Sequence, residues 1–291
     1  MAISAYILWA LSPVYFKALS FISATEILAH RVLGATLFLV AIVFLFKRYN
    51  RFKGIWGNSR ILVGLALSTI LIAINWGIFI WSVHNNLLLS ASLGYFINPL
   101  FSILFGMLFL REKLDFLSKC AAGLCLFAVV LELFTFGSLP LVALILAFSF
   151  ASYGLVRKKL GLDSLTGLTV ETGLLFPFAL AYLIFSDSPS LDFTSFSWQH
   201  SVLILMAGPV TAVPLIFFAA AANRISLTSM GFFQYIVPTS IFLLAVMVYD
   251  ETLRIERLLT FIFIWLALLL LIFNSIRKTM KKRSLAYVST S

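Results

Sequence analysis

Ten predominantly apolar runs set the limits on what this chain can become, at about 2–19, 26–46, 61–83, 86–109, 115–134, 138–157, 166–186, 199–221, 227–249 and 257–275. Each is close to the ~20 residues a helix needs to cross a bilayer's hydrocarbon. No water reaches the backbone there, so every N–H and C=O must be satisfied within the segment, which selects α-helices. The fold class that follows is an all-α polytopic membrane protein with ten transmembrane helices. Charge agrees: Asp, Glu, Lys and Arg make up only 11% of the 291 residues, against about 25% in soluble proteins. The first run has no basic stretch before it, and Pro13, Tyr15 and Lys17 stand where a signal peptide needs small residues. It is read as a retained helix.

The basic residues orient the spans. With both termini cytoplasmic, 17 of the 21 lysines and arginines fall on the inner side, in clusters at Lys47–Lys53, Arg111–Lys119, Arg157–Lys159 and Arg277–Arg283, with Arg60 and Arg224 beside them. The outer side keeps Lys17, Arg31, Arg254 and Arg257, and its longest loop, 187–200, carries Asp187 and Asp192 but no base. This asymmetry is the one that cytoplasmic loops show.

Residues 86–114 return in worn form at 228–253. A glycine and aromatic pair (Gly94, Tyr95, Phe96; Gly231, Phe232, Phe233) precedes an uncharged amide (Asn98; Gln234) and a proline (Pro99; Pro238). A glutamate follows each proline by thirteen residues (Glu112; Glu251), which is about 20 Å along a helix. The copies lie on spans four and nine, an odd number apart, so they point in opposite directions. A fainter echo joins WALSPVYFK (9–17) to FASYGLVRK (150–158). The expected organisation is two inverted five-helix repeats, 1–137 and 138–276, followed by a basic cytoplasmic tail, 277–291. Inverted repeats characterise secondary transporters whose substrates sit near the midplane beside interrupted helices.

Several functions are disfavoured. The net charge of +10 is spread in short clusters beside apolar spans, as membrane-surface anchors are, so no nucleic-acid partner is expected. Cys120 and Cys125 suit neither a disulfide nor a metal. His30, His84 and His200 lack helix-spaced His or Asp partners, and no G-x-S-x-G, H-E-x-x-H or P-loop string occurs. The chain is therefore read as a non-enzyme without cofactor or metal, whose partners are the lipid bilayer and a small-molecule substrate. A membrane sensor or assembly partner is the alternative reading, disfavoured because no soluble domain is present to pass on a signal.

Polar groups inside apolar spans carry the search for a site, because they are costly there unless they pair, cap a helix or face a cavity. Span four aligns Ser90, Gly94, Asn98 and Ser102 on one face, which serves either a solute path or close helix packing. The candidate substrate contacts are Asn75, Trp76 and Phe79 on span three, Tyr95 and Asn98 on span four, Tyr153 on span six, and Gln234 and Tyr235 on span nine. Pro99 and Pro238 are the expected helix breaks. Glu26, His30 and Arg31 open span two, either as an ion-paired gate near the outer surface or as a helix-start carboxylate with interfacial anchors. Glu171 on span seven either pairs with a base of the Arg157–Lys159 cluster or carries a coupling proton. Glu132 is read as a surface terminus.

The strings TEILAHR (25–31), NWGIFIWSV (75–83), ASLGYFINP (91–99), TFGSLP (135–140), AFSFASYGLVRKK (147–159) and MGFFQYIVP (230–238) resemble the RarD-type, chloramphenicol-sensitivity permeases of the EamA branch of the drug/metabolite transporter superfamily. The resemblance runs through nearly the whole chain in order. It implies a bacterial inner-membrane protein of ten helices with a central cavity lined by spans 1, 3, 4, 6, 8 and 9. The implied function is secondary transport, by export, of amino-acid-like or amphipathic solutes, chloramphenicol-type drugs among them.

Overall fold

The computed structural model describes residues 1–85, 87–136, 141–186, 190, 196–247 and 255–288. Glu251, Arg254, Asp187 and Asp192 lie outside the described residues. The helices are α1 (Ala2–Ala18), α2 (Ala24–Leu45), α3 (Lys53–Trp56), α4 (Ser59–His84), α5 (Leu88–Leu110), α6 (Phe116–Phe136), α7 (Leu141–Leu160), α8 (Ser164–Phe185), α9 (Trp198–Ala222), α10 (Leu227–Gln234), α11 (Ile236–Met247) and α12 (Ile255–Val288). No strand occurs among the described residues. Eight of these helices contain apolar stretches long enough to cross a membrane, and two shorter apolar stretches, Ala2–Phe16 and Leu227–Leu243, accompany them.

Local chemistry fixes the helix starts. Ser23 caps α2 by accepting from the Glu26 N–H while the Glu26 carboxylate accepts from the Ser23 N–H, a reciprocal box that satisfies two exposed donors. Asp163 caps α8, Ser197 caps α9 and Ser226 caps α10. At the other end of α5, Arg111 turns left-handed at φ 54° and ends the helix.

The prolines divide. Pro99, expected to break its helix, lies inside an unbroken α5, as Pro177 does in α8 and Pro209 and Pro214 do in α9. A membrane helix tolerates the lost hydrogen bond when neighbouring helices pack tightly around it, and Gly231 of α10 lets its backbone approach so closely that a β-carbon there would stand 2.7 Å from the Pro99 carbonyl oxygen. The corresponding stretch around Pro238 does break: α10 ends at Gln234 and α11 begins at Ile236, placing Pro238 in the first turn of α11.

Packing follows small residues. α2 crosses α9 at Gly34 and Gly208, where a β-carbon on Gly34 would lie 2.9 Å from the Gly208 Cα. α5 packs on α7 and α10, α4 on α7 and α8, and α1 on α9 and α11. α6 and α12 pair with each other, with Ala121, Cys125 and Ala128 in one core with Phe261, Ile264 and Ala267, and that core continues into α5 through Phe96. Cys125 is thus a small hydrophobe, and both cysteines are free thiols. The outer surface is apolar, with Phe134, Phe178 and Phe185 more than 70% exposed, as a lipid-facing surface requires.

Candidate functional site

A cavity of about 1020 Å³ opens between the helices. It begins at the α1–α2 connection, where Ser20 is exposed, and descends past α1, α2, α4, α5, α7, α9 and α10. Its walls are largely aromatic: Trp9 and Phe16 of α1, Trp76 and Phe79 of α4, Tyr95 of α5 and Phe150 of α7. Trp9 and Phe150 meet edge to face with centroids 5.5 Å apart.

Three amides reach this space, as the polar spacing of the spans suggests. Asn75 donates to the Leu146 carbonyl at 2.9 Å and to Ser149 Oγ at 3.0 Å, so α7 holds its NH₂ group and leaves its oxygen uncommitted. Asn98 is 5% exposed and its Oδ1 has no hydrogen-bond partner. Gln234, also 5% exposed, lines the same cavity from α10 at the point where that helix ends. Buried polar atoms without partners are expensive, and a cavity that takes a polar solute is where such atoms are useful.

The structure brings together six of the eight expected substrate contacts: Asn75, Trp76, Phe79, Tyr95, Asn98 and Gln234. Tyr153 and Tyr235 are not with them. Both are fully buried. Tyr153 stacks on Phe218 and donates to Glu171 Oε2 at 3.2 Å. The Tyr235 hydroxyl sits beside the Cys125 thiol rather than an oxygen or nitrogen partner. Tyr153 shares a face of α7 with the cavity-lining Leu146 and Phe150 and lies further along the helix, and an apolar run marks neither the depth at which a cavity ends nor the rotation of a helix, so neither placement was legible in the sequence.

The residues at the start of span two each have a further partner. Glu26 belongs to the capping box. His30 Nε2 lies 2.8 Å from Ser190 Oγ. Arg31 points into the cavity. Thr211 of α9 joins it there through a hydrogen bond from Arg31 Nε at 2.9 Å, a contact that nothing in the sequence pattern flags.

The end of the molecule opposite the cavity mouth is closed by polar ties. Glu171 accepts from Arg157 at 3.3 Å and from Ser68 of α4 at 2.6 Å, and both members of the ion pair are 2% exposed. Lys158 donates to the Ala222 carbonyl at 2.9 Å and the Ile225 carbonyl at 2.5 Å, gripping the C-terminal end of α9. Glu112 accepts from the Leu227 and Thr228 N–H groups at 2.7 and 2.9 Å, fastening the end of α5 to the start of α10. A carboxylate suits that position, because a helix N-terminus presents free N–H groups and partial positive charge. Glu132 accepts from Thr260 of α12 at 3.3 Å and so ties the α6–α12 pair instead of ending freely at the surface.

A multi-helix apolar bundle with a solute-sized chamber, open at one end and tied shut at the other, is the architecture of a membrane-embedded binding protein or permease. Residues 1–134 match the model of the EamA-like transporter family. A RarD protein of Salmonella typhimurium is 44% identical over 97% of this chain and 96% of its own length, and one of Escherichia coli is 43% identical over 97% and 96%. An uncharacterized transporter of Vibrio cholerae is 46% identical over 93% and 90%. A crystal structure covering 95% of this chain and 96% of its own superposes with TM-score 0.71 at 14% identity, a likeness of fold. The chain belongs to the RarD-type permeases of the EamA-like transporter family.

Proposed function

We propose that the chain is a secondary transporter of the bacterial inner membrane that exports small amphipathic organic metabolites by alternating access around this cavity. The observation that carries the proposal is the cavity: about 1020 Å³, mainly aromatic, with Asn75, Asn98 and Gln234 offering hydrogen bonds deep within it. Relatives named as transporters support the class. No P-loop string occurs in the sequence, which favours a gradient or facilitated exchange as the energy source.

The architecture supports two inverted halves of five spans. Exchanging each span with the one five places later turns the α2·α9 contact into α8·α4, the α4·α7 contact into α9·α1, and the α5·α7 contact into the contact of α10–α11 with α1. The same exchange returns α6·α12, α2·α8 and α5·α10 to themselves. Adding the two shorter apolar stretches to the eight long ones gives the ten spans this scheme needs. With both termini cytoplasmic, the cavity mouth at the α1–α2 connection faces outward and the ties of Glu112, Arg157 and Lys158 lie inward. That state is outward-open, and rocking of the halves would break the inner ties to admit solute from the cytoplasm.

Counterflow in proteoliposomes tests the proposal, with labelled amino acids and chloramphenicol as the panel and empty vesicles as the baseline. Saturable flux above empty vesicles, reduced about tenfold or more in Asn98→Leu, is expected. If no solute moves although the protein is folded and inserted, the transporter reading fails in favour of a sensor or assembly role.

A further inference from the structure

Arg31 brings a positive charge into a cavity whose other polar groups, Asn75, Asn98 and Gln234 among them, are uncharged. Its side chain enters from α2 about 10 Å past the start of that helix at Ala24, at 1.5 Å per residue, so it belongs to the membrane-spanning part. It is only 9% exposed, lines the cavity, and makes one hydrogen bond, from Nε to Thr211. Its guanidinium carbon lies 4.7 Å from the Phe16 ring centre and 5.0 Å from that of Trp76. Two aromatic rings thus hold the guanidinium, as cation–π contacts do, while its terminal nitrogens keep their donors for something else. Among the described residues no carboxylate pairs with it.

The other half of the molecule supplies the comparison. Arg31 follows the Ser23 cap of α2 by eight residues, and Glu171 follows the Asp163 cap of α8 by the same eight. Arg31 bonds to a hydroxyl on α9, and Glu171 bonds to a hydroxyl on α4. Those are corresponding contacts under the exchange of halves. Glu171, however, has its counter-charge in Arg157 and a further donor in Tyr153. Among the described residues, Glu171 on the closed side is neutralised internally and Arg31 on the open side is not. A buried charge without a partner costs several kcal/mol, and charged groups at membrane depth mark ligand paths.

We propose that Arg31 is the anion-binding residue of the cavity and that the substrate carries a single carboxylate on an apolar, aromatic-sized body. The planar guanidinium fork matches a carboxylate, forming charge-assisted bonds that an ammonium would place less well. Trp76, Phe79 and Tyr95 take the body, and Asn98 and Gln234 receive any polar group at its other end. One basic group fits a monoanion and leaves a second negative charge without compensation. This inference rests on the transport reading for its cavity, but binding alone can test it.

Matched pairs that differ only in charge form the test: 3-phenylpropanoate against 3-phenylpropanamide, and indole-3-acetate against indole-3-acetamide. Equilibrium binding to the purified full-length protein and counterflow in proteoliposomes are both read. In the unmodified protein the acids are expected to bind at least about tenfold more tightly than their amides. Arg31→Gln narrows that gap to near unity and Arg31→Lys retains part of it. Equal binding of acid and amide by the unmodified protein overturns the proposal without any variant, as does an acid preference that survives in Arg31→Gln. Selective binding of acids without flux of any solute upholds the anion site and overturns the transport reading. Flux of amides or chloramphenicol without binding of the acids does the reverse.

Discussion

Glu171 illustrates at the scale of single residues how an intramembrane carboxylate becomes part of a fold. Arg157, Ser68 and Tyr153 surround it, and the pair is buried to the level of the apolar core. Gly167 makes the arrangement possible, since a β-carbon there would fall on the Arg157 guanidinium. Removing one member of a buried pair strands the other, at a typical cost of about 3–5 kcal/mol, while removing both can be nearly neutral. Glu171→Gln and Arg157→Gln are each expected to lower the thermal unfolding midpoint in detergent markedly, and the double variant to recover most of the loss. Additive losses would mean that the two side chains act separately. Pairing, one of the two roles the sequence suggests for Glu171, is the one its neighbours favour. The sequence exposed this acid because a charge in an apolar run stands out. Arg31 stood out equally, yet its destination did not follow: span boundaries placed it near the outer surface, whereas the Ser23 cap starts α2 early enough to carry it into the bundle.

At the scale of elements, glycine controls which helices meet. Gly34 and Gly208 bring the α2 and α9 backbones into contact, and side chains there have nowhere to go. This crossing also fixes Arg31 of α2 against Thr211 of α9, so it positions the site as well as the fold. Gly208→Val is expected to destabilise the protein by about 1–3 kcal/mol or more through overpacking. Gly123→Ala is the control, because a β-carbon on α6 at that position meets nothing within 4 Å. A lower unfolding midpoint for the first and an unchanged or slightly higher one for the second would support this account. Equal behaviour of the two would remove it. The eight long membrane helices were legible, since apolar runs of bilayer length leave the backbone little choice, while the short α3 in the basic stretch after α2 had no such signal. Helix breaks were not: the same proline signal produced a continuous α5 and a divided α10–α11, because the outcome depends on what packs alongside. The three amides of the cavity were legible as polar exceptions in apolar runs, whereas the positions of Tyr153 and Tyr235 outside the cavity were not, because an apolar run marks neither the depth at which a cavity ends nor the rotation of a helix.

Across the whole molecule, the asymmetry between an open and a tied end makes orientation decisive. The lysine and arginine clusters lie at the tied end: Lys158 and Arg157 take part in the closure, and Arg48 and Arg51 meet Asp163 at 3.4 and 3.0 Å beside it. If those clusters are cytoplasmic, a solute enters the visible cavity only from outside. Single cysteines can read this directly. Cys125 is 0% exposed and can remain, while the half-buried Cys120 is replaced in Cys120→Ala. In that background, Ser20→Cys at the cavity mouth and Trp198→Cys at the start of α9 are expected to react with a membrane-impermeant maleimide added to intact cells or spheroplasts. Trp56→Cys, 68% exposed at the end of α3 in the basic stretch after α2, should react only after permeabilisation. Phe79→Cys, inside the cavity, joins the first group if the chamber opens outward. Labelling of Trp56→Cys from outside, with protection of Ser20→Cys, would invert the topology. Phe79→Cys reacting only from the cytoplasmic side would instead keep the topology and make the inward-open state the resting one. The ties of Glu112, Arg157 and Lys158 would then be contacts made only during outward opening, and their loss would favour the resting state instead of disrupting it.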